Sequence, residues 1–131
     1  MQKQTDSGIT SLVASHSVDE TVTKLRALLE ERHITLFAVI DHSGEAAKVG
    51  LKMPPTKLLI FGNPRAGTPV MLAAPTSALD LPLKLLVRQD TDGRTQLSYD
   101  DPEYLRTRHH IPLDVLDSLR VVGVLAAEAA K

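Results

Sequence analysis

The segment GNPRAGT, residues 62–68, is the part of the sequence with the clearest potential for ligand chemistry. It follows an apolar run, residues 58–61, that is typical of a buried strand. Main-chain N–H groups at a helix start attract anions, and Arg65 would add a fixed positive charge. The alternative is that Asn63 and Thr68 only cap the helix, and this is favoured because every helix start needs a cap. The segment is not a P-loop, because it lacks the Lys followed by Ser or Thr.

A second candidate lies at residues 41 and 42, where Asp41 and His42 end an apolar strand before a glycine-containing turn. Neighbours on a strand point to opposite faces, so these two side chains cannot easily form a dyad with each other. His42 could act as a general base or a ligand, since imidazole titrates near neutral pH. The favoured interpretation is structural: Asp41 caps the turn, and His42 is partly buried and hydrogen-bonded.

The other histidines do not predict a metal centre. His109 and His110 are adjacent, and they could join His42 only if the fold brought distant segments together. The HxxxH and HExxH spacings that place ligands on one helical face are absent. Tyr99 is a candidate for a pocket rim, although packing on the sheet explains it equally well. No metal or cofactor is therefore expected.

Composition restricts the class of protein. The chain has 131 residues, a formal net charge of -1 and no cysteine, with few aromatic residues and no basic run. Nucleic-acid binding is therefore not expected. No apolar run approaches the ~20 residues of a membrane span, and the polar N-terminus lacks the features of a signal peptide. A cytoplasmic protein forming one domain, 1–131, is expected, with 1–8 and 126–131 as candidate disordered tails.

Several elements are signalled clearly. Ser17 and Glu20 have capping-box spacing before an amphipathic helix. Residues 34–40 form an apolar run that suits a strand covered on both faces. Asp92-Gly93 indicates a hairpin between residues 83–88 and 95–99, and Pro112 begins a last helix. The resulting order has a βαββαβ core, which predicts an α/β (α+β) two-layer sandwich with one mostly antiparallel sheet, an extra hairpin strand and a C-terminal helix.

The start of the helix after residue 62 has two solutions. Asn63 can be the N-cap with Pro64 at the first position, or Thr68 can be the N-cap with Pro69 at the first position, since both pairs follow the same pattern. Because Gly67 and Pro69 interrupt the earlier helix, the sequence favours a turn at residues 63–67 and a helix at residues 69–74.

The chain resembles the domain of unknown function 302 family. The segments HSVDETVTKL, FAVIDH, AAKVGL, KLLIFGNPRAGTPVM, APTSALDLPLKLLV and YDDPEYLRTRH carry the resemblance, which covers residues 16–110. It implies a compact α/β domain with a βαββαβ core, often found as a dimer, and it implies no reaction. The motif positions that it transfers are Asp41, His42, Gly62, Asn63, Pro64, Gly67, Thr68, Asp80, Pro82 and Tyr99.

Three hypotheses of function remain, in order of preference. The first is a homodimeric binding module that holds a small anionic ligand near Asn63, Arg65, Thr68 and His42. The second is a structural or interaction protein with an exposed apolar patch. The third is an enzyme in which His42 is the general base and Asp80 or Tyr99 its partner, which requires these side chains to share one cleft.

Overall fold

The protein was analysed as a computed structural model that describes residues 2–4 as backbone and residues 7–131 in full. Six strands form one antiparallel sheet in the order β1-β2-β6-β5-β4-β3. Their bounds are β1 Gln2–Gln4, β2 Ile9–Ala14, β3 Thr35–Asp41, β4 Thr56–Gly62, β5 Leu83–Gln89 and β6 Thr95–Asp100.

Helices α1 and α6 pack against the sheet, which confirms the predicted α/β sandwich with its βαββαβ core and added hairpin strand. The helices are α1 Val18–Glu31, α2 His42–Lys48, α3 Pro64–Ala73, α4 Pro102–His109, α5 Leu113–Leu116 and α6 Val121–Ala129. Two 3₁₀ segments, Pro75–Leu79 and Asp117–Arg120, follow α3 and α5.

The core follows from strand alternation and one helical stripe. Leu83, Leu85 and Val87 on β5 are buried, while the residues between them are only partly buried. Helix α1 begins at the predicted cap, where the hydroxyl of Ser17 accepts a hydrogen bond from the Glu20 N–H at 3.1 Å and donates to the Glu20 carboxylate at 3.0 Å. The alternation on β5 shows that the helices cover one face of the sheet, and that the other face remains partly exposed.

Strand β3 differs from its prediction. Residues 34–40 were expected to be covered on both faces, but β3 lies at the edge of the sheet, and Phe37 is 53% exposed. The register shifts between Leu36 and Ala38, which places an extra residue opposite β4. An edge strand pairs on one side only, and the helical layer covers one face. Apolar side chains of β3 therefore point to both faces of the sheet, although only one face is buried.

The start of α3 and the last helix also differ from the sequence-based expectations. Helix α3 begins at Pro64, not Pro69, because Asn63 caps it and the helix accommodates Pro69 within its span. The expected last helix from Pro112 is divided into α5, a 3₁₀ segment and α6.

Both segments expected as disordered tails, 1–8 and 126–131, contain regular elements in the described part of the chain. Residues 126–129 belong to α6, and the carbonyl of Ala130 accepts a hydrogen bond from the Ser15 N–H at 2.9 Å, which ties the C-terminus to the sheet. At the other end Gln2–Gln4 form β1, whereas residues 1, 5 and 6 lie outside the described part of the chain.

Candidate functional site

The main-chain amides at the start of α3 are already used by the protein. The side-chain oxygen of Asn63 accepts from the Arg65 N–H at 3.0 Å. The carbonyl oxygen of Asn63 accepts from the N–H groups of Ala66 and Gly67 at 2.9 and 2.8 Å. The first helical residue is Pro64, which has no N–H. The predicted anion site of free amides is therefore wrong, and the capping interpretation of Asn63 is correct.

A hollow nevertheless lies beside this turn, as a cavity of about 190 Å³. It sits at the end of the sheet where β4 leads into α3, and the segment before β5 and the C-terminal helices complete it. Of the fifteen residues that line it, three carry polar side chains: Asn63, Thr68 and Ser118. The remaining lining residues are Ile34, Phe37, Gly62, Pro64, Ala66, Gly67, Met71, Leu81, Pro82, Leu83, Leu119 and Val121.

Gly62 lies beside two rings at the wall of this cavity, at ordinary contact distance from each. A Cβ atom on Gly62 would lie 3.5 Å from the Cβ of Pro82 and 3.6 Å from the Cε2 of Phe37. On the opposite side the hydroxyl of Ser118 donates to the carbonyl of Ala66 at 3.3 Å, which links α3 to the C-terminal segment. The cavity is thus formed by four separate segments of the chain.

The six predicted site residues are not brought together. Asn63 and Thr68 line the cavity, while Arg65 is exposed and is not part of the lining. The register pairs Thr35 with Gly62 at one end of β3 and Asp41 with Lys57 at the other. The two ends of this seven-residue strand therefore lie about 20 Å apart.

Asp41 and His42 lie at the far end of β3 and have a local role. Asp41 caps α2, because its carboxylate accepts from the Ser43 hydroxyl at 2.7 Å and from the Gly44 N–H at 3.0 Å. These hydrogen bonds, the Ser43 hydroxyl first, lower the pKa of Asp41. His42 is the exposed first residue of α2 and is not partly buried as expected. It is separated from Asp80, which precedes β5 at the cavity end, so the proposed His42 enzyme site is not supported by the geometry.

Tyr99 packs in the core beneath the helices, not at a pocket rim. Its side chain is buried, and a Cβ atom on Gly123 of α6 would lie 3.1 Å from the Tyr99 hydroxyl oxygen. Gly123 therefore permits the close approach of α6 to the sheet at this tyrosine.

The structure also shows a cluster that the sequence analysis missed, around His109. Its Nε2 lies 2.5 Å from a carboxylate oxygen of Asp80, and its Nδ1 lies 2.9 Å from the hydroxyl of Thr76. Arg108 donates to both oxygens of Asp80 at 3.0 and 3.3 Å. Asp80 does not pair with Lys84 through its side chain. The Lys84 ammonium donates instead to the carbonyl of Asp80 at 3.0 Å.

Asp100 lies close enough to this cluster to be affected by its charge. Burial and then the negative charge of Asp80 raise the pKa of Asp100, while Lys84 and Arg108 act in the opposite direction. No spacing in the sequence indicated the cluster, since Thr76 and His109 are 33 residues apart.

Two further properties bear on the type of site. Within the described residues, no three His, Asp or Glu side chains are grouped so that they could hold a metal ion. In the same part of the chain, none of the helices combines the length and apolar character needed to cross a bilayer.

Comparison with known proteins gives relatives of two kinds. The chain is 38% identical over 120 residues to proteins named "Fluoride-specific ion channel FluC 1" from Brucella suis and "Fluoride-specific ion channel FluC 2" from Brucella melitensis. The match covers 90% of this chain but only 47% and 44% of those relatives, so the chain spans about half of their length.

The fold is also shared with a solved structure. The crystal structure of an uncharacterized conserved DUF302 protein from Bacillus stearothermophilus superposes with a TM-score of 0.77 at 18% identity, covering 94% of this chain and 95% of that one. The sequence matches the family described as "Domain of unknown function DUF302" over residues 10–122. This match runs from the second residue of β2 through β6 and includes all the residues that line the cavity. It shows that the chain belongs to the DUF302 family.

Proposed function

We propose that this domain is a small binding module whose cavity beside the start of α3 takes a small, mainly apolar ligand. The observation that carries the proposal is the cavity of about 190 Å³ with its largely aliphatic lining. Apolar cavities of ~150 Å³ can hold benzene, so a ligand of that size would fit. Most ligand pockets combine an apolar lining with a few polar groups that orient the ligand.

The three polar lining side chains suit a neutral polar group better than the anion expected from the sequence. The amides of Arg65, Ala66 and Gly67 are occupied, so an anion would have to displace an existing cap. A carbonyl or hydroxyl group on the ligand could instead bond to the Thr68 hydroxyl, and a ligand hydroxyl could donate to the Ser118 oxygen, whose own hydrogen is already donated to a main-chain carbonyl. The proposed site thus retains Asn63 and Thr68 of the residues predicted from the sequence, and the proposed chemistry of the ligand changes.

The Brucella relatives that are named as fluoride-specific ion channels are about twice as long as this chain. This chain matches less than half of each. A cavity with a mostly aliphatic lining also offers little compensation for the desolvation of a small, strongly hydrated anion. We therefore propose that the matched half is an attached binding module in those relatives, separate from the part that conducts fluoride.

The ligand proposal can be tested by NMR titration with benzene as the probe. Saturable shifts are expected for the amides of cavity residues such as Gly67 and Leu119. Ala66→Leu should abolish the shifts by filling the cavity, because Ala66 lines it. Ala73→Leu is the matched control, since Ala73 is exposed on the same helix and does not line the cavity. The proposal fails if benzene causes no saturable shift, or if both variants respond alike.

A second proposal is that this domain forms a homodimer through the edge of the sheet formed by β3. The observation that favours it is a succession of exposed apolar side chains: Phe37 and Ile40 on β3, then Val49, Leu51 and Met53 on the segment leading to β4. Monomers seldom expose apolar patches beyond about 300–600 Å². An unpaired edge strand also presents free main-chain groups to a second copy.

Light scattering over a range of protein concentrations tests the homodimer. A dimer is expected for the wild type, and Phe37→Glu should produce a monomer. Leu72→Glu is the control, because Leu72 is highly exposed but lies on α3. A wild type that stays monomeric at high concentration would remove this second proposal and leave the cavity proposal unaffected.

A further inference from the structure

The contacts around His109 have the form of an activated hydroxyl. The Thr76 hydroxyl lies 2.9 Å from Nδ1 of His109, and Nε2 of the same ring lies 2.5 Å from the Asp80 carboxylate. A hydroxyl beside an imidazole that a third group orients is the arrangement by which proteins turn a weak nucleophile into a reactive one. We propose that Thr76 is the nucleophile of an acyl-transfer site, with His109 as general base and Asp80 as the positioning residue.

Burial differs across the three side chains in the direction that this role requires. The side chain of His109 is only 3% exposed and that of Asp80 is 18% exposed, whereas Thr76 is exposed to solvent. The base is therefore held in one orientation by its surroundings, and the hydroxyl can be reached by a substrate. The three residues come from the 3₁₀ segment, from its C-terminal cap, and from the last turn of α4, which pack against each other.

Hydrogen-bond chemistry fixes the positions of the protons. The Asp80 carboxylate has a cation beside it, because Arg108 donates to both of its oxygens. A carboxylate can only accept, so Nε2 of a neutral His109 carries the proton and donates it to Asp80. Nδ1 is then unprotonated and accepts the hydrogen bond from the Thr76 hydroxyl. The unprotonated nitrogen therefore faces the hydroxyl, as a general base requires, although the two ring nitrogens are exchanged relative to the Ser-His-Asp triad.

The proposed step is transfer of an acyl group from a small, activated ester. The Thr76 oxygen forms a bond to the carbonyl carbon, and its proton moves to Nδ1 of His109. The ester C–O bond breaks, and the departing alcohol takes that proton from Nδ1. A water molecule then attacks the acyl-threonine ester with His109 again as the base, which releases the carboxylic acid and restores Thr76. Because Thr76 lies on the exposed surface, an acyl donor can reach it directly from solvent.

Acetylation of the protein by p-nitrophenyl acetate tests the proposal, with peptide mass spectrometry to locate the acetyl group. Thr76 should be acetylated at least 100-fold faster than Thr107, a typical contribution of a general base. Thr107 is an internal control: it is also exposed, but its hydroxyl donates to the carbonyl of Glu103 at 3.1 Å and has no imidazole partner. This comparison is made within the wild-type protein and does not depend on the folding of any variant.

Variants then assign the roles. Thr76→Val should remove the acetylated peptide, and Thr76→Ser should retain it. His109→Asn should reduce the rate about 100-fold, and Asp80→Asn should reduce it as well, each in protein shown to be folded by its thermal transition. Equal acetylation of Thr76 and Thr107 in the wild type would overturn the proposal. So would an unchanged rate in folded His109→Asn protein.

Discussion

The substitution Asn63→Ala distinguishes a cap from an anion site at the start of α3. Asn63 holds the first turn through its side-chain bond to the Arg65 N–H, at 3.0 Å. Loss of an Asn N-cap to Ala costs about 1 kcal/mol, within a range of about 0.5–2 kcal/mol. Helix α3 has ten residues and contains Pro69, which removes one internal hydrogen bond, so we expect a cost near the middle of that range or above.

Urea unfolding of the wild type and of Asn63→Ala measures this cost. A loss of 1 kcal/mol corresponds to a decrease in Tm of about 3–5 °C for a domain of this size. Asn63→Asp should keep nearly all the stability and Asn63→Gly should lose only a few tenths of a kcal/mol, since both residues are accepted at an N-cap. Sulfate should raise the stability of the wild type and of Asn63→Ala equally. The capping argument is refuted if Asn63→Ala is as stable as the wild type, or if sulfate stabilises the wild type selectively.

Two further predictions concern the core and the charged cluster. Leu25→Ala should reduce the free energy of unfolding by about 2–5 kcal/mol, because Leu25 is 0% exposed. Leu72→Ala is the control, since Leu72 is 79% exposed, and it should change the free energy of unfolding by less than about 0.5 kcal/mol. Urea unfolding measures both changes. The pKa of Asp100 is raised by burial and by Asp80, so its ionisation costs stability as the pH rises through that pKa. At neutral pH, Asp100→Asn should therefore have a free energy of unfolding higher than that of the wild type, by less than about 1 kcal/mol. This difference should disappear below pH 3.8, and urea unfolding at the two pH values measures it.

Short local sequence motifs were sufficient to predict where a helix begins and where a hairpin turn lies. Ser17 was expected to cap α1, and its hydroxyl accepts a hydrogen bond from a main-chain N–H of the first turn. The hairpin signal at Asp92-Gly93 is also correct: the N–H of Gly93 bonds to the carbonyl of Asp90 at 3.0 Å, and Gly93 adopts a φ of 82°. Such features depend on a few neighbouring residues, so the sequence contains the information directly.

Properties that depend on the order of strands could not be predicted in this way. The apolar run at residues 34–40 indicates a strand, but its hydrophobicity is the same whether it lies at the centre of a sheet or at the edge. The exposed side of β3 therefore appeared only once the strand order placed it beside β4 alone. Helix α3 was also misplaced: the sequence favoured a start at Thr68-Pro69, whereas the helix begins at Asn63-Pro64.

The candidate site shows the same division between local and distant information. Asn63 and Thr68 were placed correctly near a hollow, because the strand, the glycine and the cap are adjacent in the sequence. Asp41 and His42 were grouped with them because they also end a strand. In an antiparallel pair, however, the C-terminal ends of successive strands lie at opposite ends of the sheet. The mostly antiparallel sheet that the sequence predicts already implies this separation, and grouping Asp41 and His42 with Asn63 and Thr68 was inconsistent with it.

The segment from Asp80 to Pro82 joins the two proposed sites physically. The Asp80 side chain orients His109, while the next two residues, Leu81 and Pro82, line the cavity. The Lys84 ammonium donates to the carbonyls of both Asp80 and Pro82 at 3.0 Å, so one side chain fixes both ends of the segment. A ligand that moved Leu81 or Pro82 would therefore also shift the carboxylate that positions His109. Hence the two sites are expected to be coupled, although no side chain belongs to both.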